Sequence, residues 1–114
     1  MTEPTTGITK LGPHTILPMQ ESITQENSAE IEARLQGVIE KSACTIILDF
    51  KETGFLDSAA LEMLLRMQQA VTERGCRMKI VGLNAVCRDI LISTRLINQF
   101  QVYPGLQEAV RETP

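Results

Sequence analysis

The chain has 114 residues, of which 43% are hydrophobic and 4% aromatic, and it carries a formal net charge of −3. This length fits one domain built on a single hydrophobic core and is too short for two. The acidic balance and the few aromatic side chains disfavour nucleic-acid binding, which uses basic surfaces and stacking platforms. No apolar run approaches the ~20 residues of a membrane span, so we expect no membrane association.

The cysteines favour a reducing compartment. Cys44, Cys76 and Cys87 cannot all pair within one chain, and none stands in a C-x-x-C arrangement. We therefore predict free thiols, a cytoplasmic location and no metal site. The sequence has no glycine-rich phosphate loop and we expect no cofactor, while nucleotide binding of another kind stays open.

The N-terminal part predicts a short lead and a hairpin. Residues 1–7 are polar and are predicted to be flexible. Residues 8–11 and 14–17 flank a Gly-Pro turn and predict two paired strands. Pro18 lacks the N–H that a ladder needs, so the second strand should end there. The single histidine, His14, is interpreted as a strand-edge residue.

A helix and a buried strand follow. Asn27 and Glu30 have the capping-box spacing, and apolar residues recur at the helical period as far as Lys41. Residues 45–50 are β-branched and almost wholly apolar until their end, which is typical of a strand covered on both faces. We expect this strand to be central in the sheet.

The second half continues the alternation of helices and strands. Helix formers dominate residues 58–74, which carry a broad apolar stripe, and Gly75 supplies the stop. The elements after it are a strand over residues 77–81, a helix capped by Asn84, a strand over residues 100–103 and an amphipathic end over residues 106–111. The order predicts an α/β fold: a four- to five-stranded, mostly parallel mixed sheet with an N-terminal hairpin and about four helices packed on it.

Asp57 and Ser58 lie where the central strand gives way, through a short loop, to the strongly helical stretch. A helix N-terminus presents unpaired N–H groups and the positive end of its dipole, so a phosphate there is partly accommodated. An Asp-Ser pair before a helix is most often an ordinary cap, because both side chains accept N–H bonds. The local residues leave both interpretations open.

The segment IILDFKETGFLDSAALEMLL, followed by ERGCRMKIVGLN, resembles the STAS domain of bacterial anti-sigma factor antagonists. Five residues match the family pattern of a strand, a short loop and an Asp-Ser helix entrance: Asp49, Phe55, Asp57, Ser58 and Leu61. The likeness extends more weakly over the first half of the chain. It implies a single STAS domain over residues 8–112.

The resemblance implies a partner-switching function. In this family the serine at the position of Ser58 is phosphorylated by the partner anti-sigma factor, a serine kinase, and a serine phosphatase reverses the modification. The unphosphorylated antagonist captures the anti-sigma factor, which releases a sigma factor for transcription. The alternative is a STAS subunit of a transporter or larger signalling assembly that docks without phosphorylation. Weak homodimerisation stays open.

The resemblance also implies a partner-binding surface around the serine. Its residues are Asp49, Thr53, Gly54, Phe55, Leu56, Asp57, Ser58, Ala59, Leu61, Glu62 and Asn84. Asp49 has a second interpretation, as a carboxylate that binds loop N–H groups. The chain has Ala60 and Arg95 where the family commonly has Gly. We expect the Ala60 methyl to crowd a partner's approach to Ser58, and we expect strain at Arg95 if its φ is positive.

Catalytic functions fit the residues poorly, and we predict that the protein is not an enzyme. A serine hydrolase needs a base and usually a Gly-x-Ser-x-Gly elbow, but Ser58 has no such neighbours and the only histidine is His14. A phospho-aspartate receiver centred on Asp49 would, by its family pattern, carry an acidic pair after the first strand and a late lysine. Gln20-Glu21 and Tyr103-Pro104 do not supply them.

Overall fold

The architecture comes from a computed structural model, which describes residues 8–41 and 45–111. In chain order the elements are β1 (Thr9–Leu11), β2 (His14–Pro18), α1 (Ser28–Lys41), β3 (Thr45–Asp49), α2 (Ser58–Glu73), β4 (Arg77–Val81), α3 (Ala85–Ser93), a 3₁₀ turn (Ile97–Gln99), β5 (Gln101–Tyr103) and α4 (Leu106–Arg111). The predictions made for residues 1–7, for Cys44 and for the domain end at residue 112 lie outside the described residues.

The five strands form one mixed sheet in the order β1-β2-β3-β4-β5. β1 pairs antiparallel with β2, and every other neighbouring pair is parallel. Parallel neighbours need crossover connections, which here contain α1, α2 and α3. The predicted fold class is therefore confirmed, with the N-terminal hairpin at one edge and the apolar strand β3 in the centre.

The two faces of the sheet are covered unequally. Successive strand residues point to opposite faces, so Leu48 and Ile47 of β3 belong to different layers. Leu48 and Ile80 pack with the apolar stripes of α1, α2 and α3 in the larger cluster. Ile47 joins a smaller cluster that α4 covers through Ala109. Full burial of one such aliphatic side chain contributes about 1.5–3 kcal/mol, so the three-helix layer supplies the larger share of the apolar stabilisation.

A buried lysine connects α4 to the sheet. Lys79 of β4 is fully buried, its Nζ donates a hydrogen bond to the Ala109 carbonyl oxygen at 2.6 Å, and the same atom lies 5.2 Å from the centre of the Tyr103 ring. A hydrogen bond from a charged donor and a cation–π contact offset part of the cost of burying the ammonium group. The second face therefore combines a small apolar cluster with a polar anchor.

Two local predictions are wrong. His14 is not at a sheet edge, because β2 lies between β1 and β3, and the residue is buried with Nδ1 3.1 Å from the Leu11 carbonyl oxygen. α1 begins at Ser28 as predicted, but the Asn27 side chain turns back into the preceding loop. Its Oδ1 accepts from Thr24 N at 2.8 Å and its Nδ2 donates to the Ser22 carbonyl at 2.9 Å, which stabilises the loop before the helix.

Candidate functional site

Three loops meet at the end of the sheet that is formed by the carboxyl termini of the parallel strands β2, β3 and β4. They are residues 19–27 after β2, residues 50–57 after β3 and residues 82–84 after β4. In open parallel sheets ligands are usually bound at the carboxyl ends of the strands. The loops there lie on the surface, while the sheet below them provides a rigid scaffold. The predicted site residues all belong to this end of the sheet or to the helices that start from it.

Asp57 is the N-cap of α2 and joins two parts of the chain. Its Oδ1 accepts from Ala60 N at 3.0 Å, and its Oδ2 accepts from Gln25 N at 2.8 Å. Hydrogen bonds to the ionised form, first from Ala60 N–H and then from Gln25 N–H, lower the pKa of the Asp57 carboxyl. The carboxylate is therefore charged at neutral pH. Ser58, the first residue of α2, is exposed.

The loop after β2 is bound to the loop after β3 along its length. Ile23 N donates to the Phe55 carbonyl at 3.1 Å, and Asp57 N donates to the Ile23 carbonyl at 3.2 Å. Thr53 Oγ1 donates to the Met19 carbonyl at 2.8 Å. Because Ile23 and Thr53 are buried, these bonds fix the relative position of the two loops.

The loop after β4 is joined to the same group of residues by Asn84. Its Oδ1 accepts from Cys87 N at 2.7 Å and caps α3, as predicted, while its Nδ2 donates to the Thr53 carbonyl at 3.1 Å. Cys87 is buried, and burial raises the pKa of its thiol. A buried thiol that stays protonated is unreactive, so Cys87 acts as a packing residue here.

The Asp49 carboxylate binds the start of the loop after β3. Its Oδ1 accepts from Lys51 N at 3.0 Å, and its Oδ2 lies 3.8 Å from Lys51 Nζ. Gly82 passes close by with a φ of 77°, and a Cβ on it would lie 3.0 Å from Asp49 Oδ1. The observed contacts match the second interpretation of Asp49, as a side chain that shapes the start of the loop after β3.

The predicted partner-binding residues separate into two groups by burial. Thr53, Leu56 and Leu61 are buried, so they support the surface from below. The side chains that are exposed or half-buried are Asp49, Gly54, Phe55, Asp57, Ser58, Ala59, Glu62 and Asn84. Phe55, three residues before Ser58, is 46% exposed, and an exposed large aromatic side chain is typical of an interaction surface.

The expectation about Ala60 is wrong. Its side chain is fully buried in the main core, together with Leu64 and Met67 of the same helix. A methyl group that points into the core cannot crowd a partner's approach to Ser58. Alanine also favours the helix relative to glycine by roughly 1 kcal/mol, so the departure from the family pattern strengthens α2 without changing the exposed surface.

Sequence reasoning missed the part of this surface that lies in the loop after β2. Thr24, Gln25 and Glu26 line a shallow, open groove together with Asp57. Val86, in the first turn of α3, is 50% exposed. We call the exposed and half-buried residues 24–26, 54–55, 57–59, 62 and 84–86 the Ser58 surface.

The described residues do not bring a set of metal ligands together, and the cavity beside β2 is small. Across residues 8–41 and 45–111, no group of three or more His, Cys, Asp or Glu side chains is placed to hold a metal ion. A cavity of about 50 Å³ lies between β2 and α1, lined in part by Leu17, Ile31 and Leu35. Small-molecule pockets usually measure about 300–1,000 Å³, so this cavity is too small for a nucleotide. The open groove beside Asp57, at about 590 Å³, lies within that range.

The mixed sheet, the N-terminal hairpin and a helix that starts at Asp57-Ser58 define a small α/β domain of STAS type. The family model of the STAS domain matches residues 6–109. The chain therefore belongs to the STAS domain family. The comparison with curated proteins gave no match.

Solved structures share this fold. A proposed anti-sigma factor antagonist from Thermotoga maritima is 19% identical with a TM-score of 0.86, and the alignment covers 92% of this chain and 91% of the other. The anti-sigma factor antagonist SpoIIAA in its unphosphorylated form is 16% identical, with a TM-score of 0.74 and 90% coverage of each chain. The murine anion transporter Solute Carrier 26 family member A9 is 18% identical with a TM-score of 0.76, and the match covers 90% of this chain and 18% of the transporter.

Within the part of the chain that the structure describes, no helix is long and apolar enough to cross a membrane.

Proposed function

We propose that the protein is a cytoplasmic anti-sigma factor antagonist without catalytic activity of its own. Its unphosphorylated form binds an anti-sigma factor serine kinase through the Ser58 surface, which frees a sigma factor. Phosphorylation of Ser58 ends this binding, and a serine phosphatase restores it. The observation that carries the proposal is an exposed serine at the N-terminus of α2, at the end of the sheet where hydrogen bonds from the Thr53 hydroxyl and the Asn84 amide join three loops.

The phosphoryl transfer uses the partner's nucleotide. The Ser58 hydroxyl oxygen bonds to the γ-phosphorus of ATP, the bond from that phosphorus to the β,γ-bridging oxygen breaks, and ADP leaves. The hydroxyl proton passes to a base of the kinase. The product carries about −1.5 to −2 added charges and three acceptor oxygens at Ser58.

The added charge acts on docking more than on folding. The N-terminus of α2 favours an anion by about 0.3–1 kcal/mol, and the neighbouring carboxylate of Asp57 opposes it. These local effects are small beside the cost of burying a dianion against a partner that offers no cation. Phosphorylation should therefore lower partner affinity while α2 stays folded.

The test combines phosphorylation and binding. The protein is incubated with ATP and a candidate anti-sigma factor serine kinase from the same organism, and the modified residue is mapped by mass spectrometry. We expect phosphate at Ser58, no phosphate in Ser58→Ala, and normal phosphorylation in the control Ser93→Ala, which changes an exposed serine at the end of α3. Kinase binding should persist in Ser58→Ala and weaken at least about tenfold in Ser58→Asp, a loss of about 1.4 kcal/mol. Phosphate at another residue refutes the assignment.

A second candidate function is that of a STAS subunit that docks without being phosphorylated. The structural match to the transporter domain, which covers 90% of this chain, favours it. In that case wild type and Ser58→Asp bind the partner equally, and the partner that co-purifies is a transporter or a larger assembly.

A further inference from the structure

The Asp57 carboxylate is shared between α2 and the loop after β2. One oxygen holds the amide of Ala60 inside the helix, and the other holds the amide of Gln25, 32 residues earlier in the chain. The adjacent amides of the loop are bound locally: Thr24 N donates to Asn27 Oδ1 at 2.8 Å, and Glu26 N donates to Thr24 Oγ1 at 3.2 Å. Among the residues that the structure describes, the hydrogen bond of Gln25 is thus the one that joins residues 24–26 to the entrance of α2.

Residues 24–26 lie between two fixed points. On one side Ile23 is buried and is bound to both Phe55 and Asp57 through the backbone. On the other side α1 begins at Ser28, which is also buried. Thr24 is half-buried, and its carbonyl accepts from Asn27 N at 3.1 Å and Ser28 N at 2.8 Å, so it is fixed to the start of α1. Gln25 and Glu26 are exposed, so a shift of these two residues leaves the core unchanged.

A phosphate on Ser58 competes with Asp57 for the same donors. The first turn of α2 offers few free N–H groups, and Asp57 already uses the one of Ala60. The phosphate brings a larger charge of the same sign to the neighbouring residue. Because the hydrogen bonds that lower the pKa of Asp57 keep it ionised, protonation does not relieve this repulsion.

We propose that Asp57 transmits the phosphorylation state of Ser58 to Gln25 and Glu26. The phosphate takes over the first N–H groups of α2 and repels the Asp57 carboxylate, which turns away from Gln25 N–H. Gln25 and Glu26 then leave their place on the Ser58 surface, while Thr24 stays bound to the start of α1. This inference rests on the proposed function, since it takes Ser58 to be the modified residue. A partner that binds the unmodified form then responds both to the charge at Ser58 and to the altered position of the loop after β2.

The test needs no kinase. Phosphoserine is introduced at position 58 of the ¹⁵N-labelled full chain by codon expansion, and amide hydrogen exchange is followed by NMR. We expect Gln25 N–H to exchange at least about tenfold faster in the phosphorylated protein, while Ile23 N–H stays protected. Equal exchange of Gln25 N–H in the two forms overturns the proposal.

Substitutions at Asp57 separate positioning from simple capping. Asp57→Asn and Asp57→Ser keep a side-chain acceptor for Ala60 N–H, and both residue types are good N-caps. Neither offers a second acceptor to Gln25. In both variants Gln25 N–H should exchange as fast without phosphate as it does in the phosphorylated wild type, and phosphoserine at position 58 should add no further change. A role limited to capping α2 predicts slow exchange of Gln25 N–H in both.

A matched control changes the cap of the next helix. Asn84→Ser keeps an acceptor for Cys87 N–H and removes the Nδ2 bond to Thr53, and it should leave Gln25 N–H protected.

The proposed function and the transmission through Asp57 are refuted by different results. If the kinase modifies another residue, the proposed function is refuted, whereas unchanged exchange at Gln25 in the phosphoserine protein refutes the transmission through Asp57 and leaves the partner switch standing.

Discussion

Arg95 ends α3 in a backbone conformation that usually belongs to glycine. Its φ is 64°, its N–H donates to the Ile92 carbonyl at 3.0 Å, and Leu96 N–H donates to the Leu91 carbonyl at 2.8 Å. This is the Schellman pattern. A non-glycine residue in this conformation lowers the free energy of unfolding by about 1–2 kcal/mol. Replacing it by glycine removes that strain, but the greater entropy of glycine in the unfolded chain offsets about 0.5–1 kcal/mol of the gain. Arg95→Gly should therefore raise the free energy of unfolding by about 0.5–1 kcal/mol and Tm by about 2–5 °C.

α2 supplies the controls, because it ends in the same pattern with Gly75 at a φ of 77°. An added Cβ on Gly75 meets nothing within 4 Å. Gly75→Arg should therefore lower the free energy of unfolding by about as much as Arg95→Gly raises it. Arg74, one residue earlier, has a φ of −86°, and Arg74→Gly should lower stability. Urea unfolding and calorimetry give the three values. A stability of Arg95→Gly equal to or below that of wild type refutes the argument from backbone strain.

Gly82→Ala should lose more stability than Gly75→Ala, because both have a φ of 77° but a Cβ on Gly82 also lies 3.0 Å from Asp49 Oδ1; equal losses in urea unfolding would contradict the steric argument. Burial and then the charge of Lys79 lower the pKa of His14 from 6.5. The His14 imidazole therefore binds a proton more readily in the unfolded chain than in the folded protein. Its contribution to the free energy of unfolding is fully present above the unfolded pKa and is lost as the pH falls through the folded pKa. The urea midpoint should fall more steeply between about pH 7 and pH 5 in wild type than in His14→Gln, and Lys79→Met should make the fall shallower. A fall of the same size in His14→Gln would show that other groups cause it.

The elements could be predicted because their signals are local. The apolar stripe of α2, the β-branched run of β3 and the turn glycine at position 75 each act within a few residues, and the structure places all three as expected. The alternation of helices and strands then indicated a mostly parallel mixed sheet, whereas the order of its strands is known only from the structure. The doubt about Ala60 was avoidable, since Ala60 lies one turn before Leu64 on the same buried stripe.

The contacts that build the site were not visible in the sequence. Gln25 and Asp57 are 32 residues apart, and Met19 and Thr53 are 34 apart, so no spacing rule connects them. They meet because β2 and β3 are parallel neighbours whose loops leave from the same edge. The interpretation of His14 failed for a related reason. A polar residue in a strand suggests an edge strand, but β2 is paired on both sides, by β1 and β3, and His14 is buried.

The balance of energies around α2 determines where a phosphate can act. Leu64, Met67 and Val71 are almost completely buried, and each contributes about 1.5–3 kcal/mol to holding the helix on the sheet. The interaction of a phosphate with the helix dipole is about 0.3–1 kcal/mol, so it is too weak to detach the helix. The response is therefore confined to groups that depend on a single exposed bond. Gln25 N–H, held by the Asp57 carboxylate, is such a group at the entrance of α2, which is why we expect the effect of modification to appear there first.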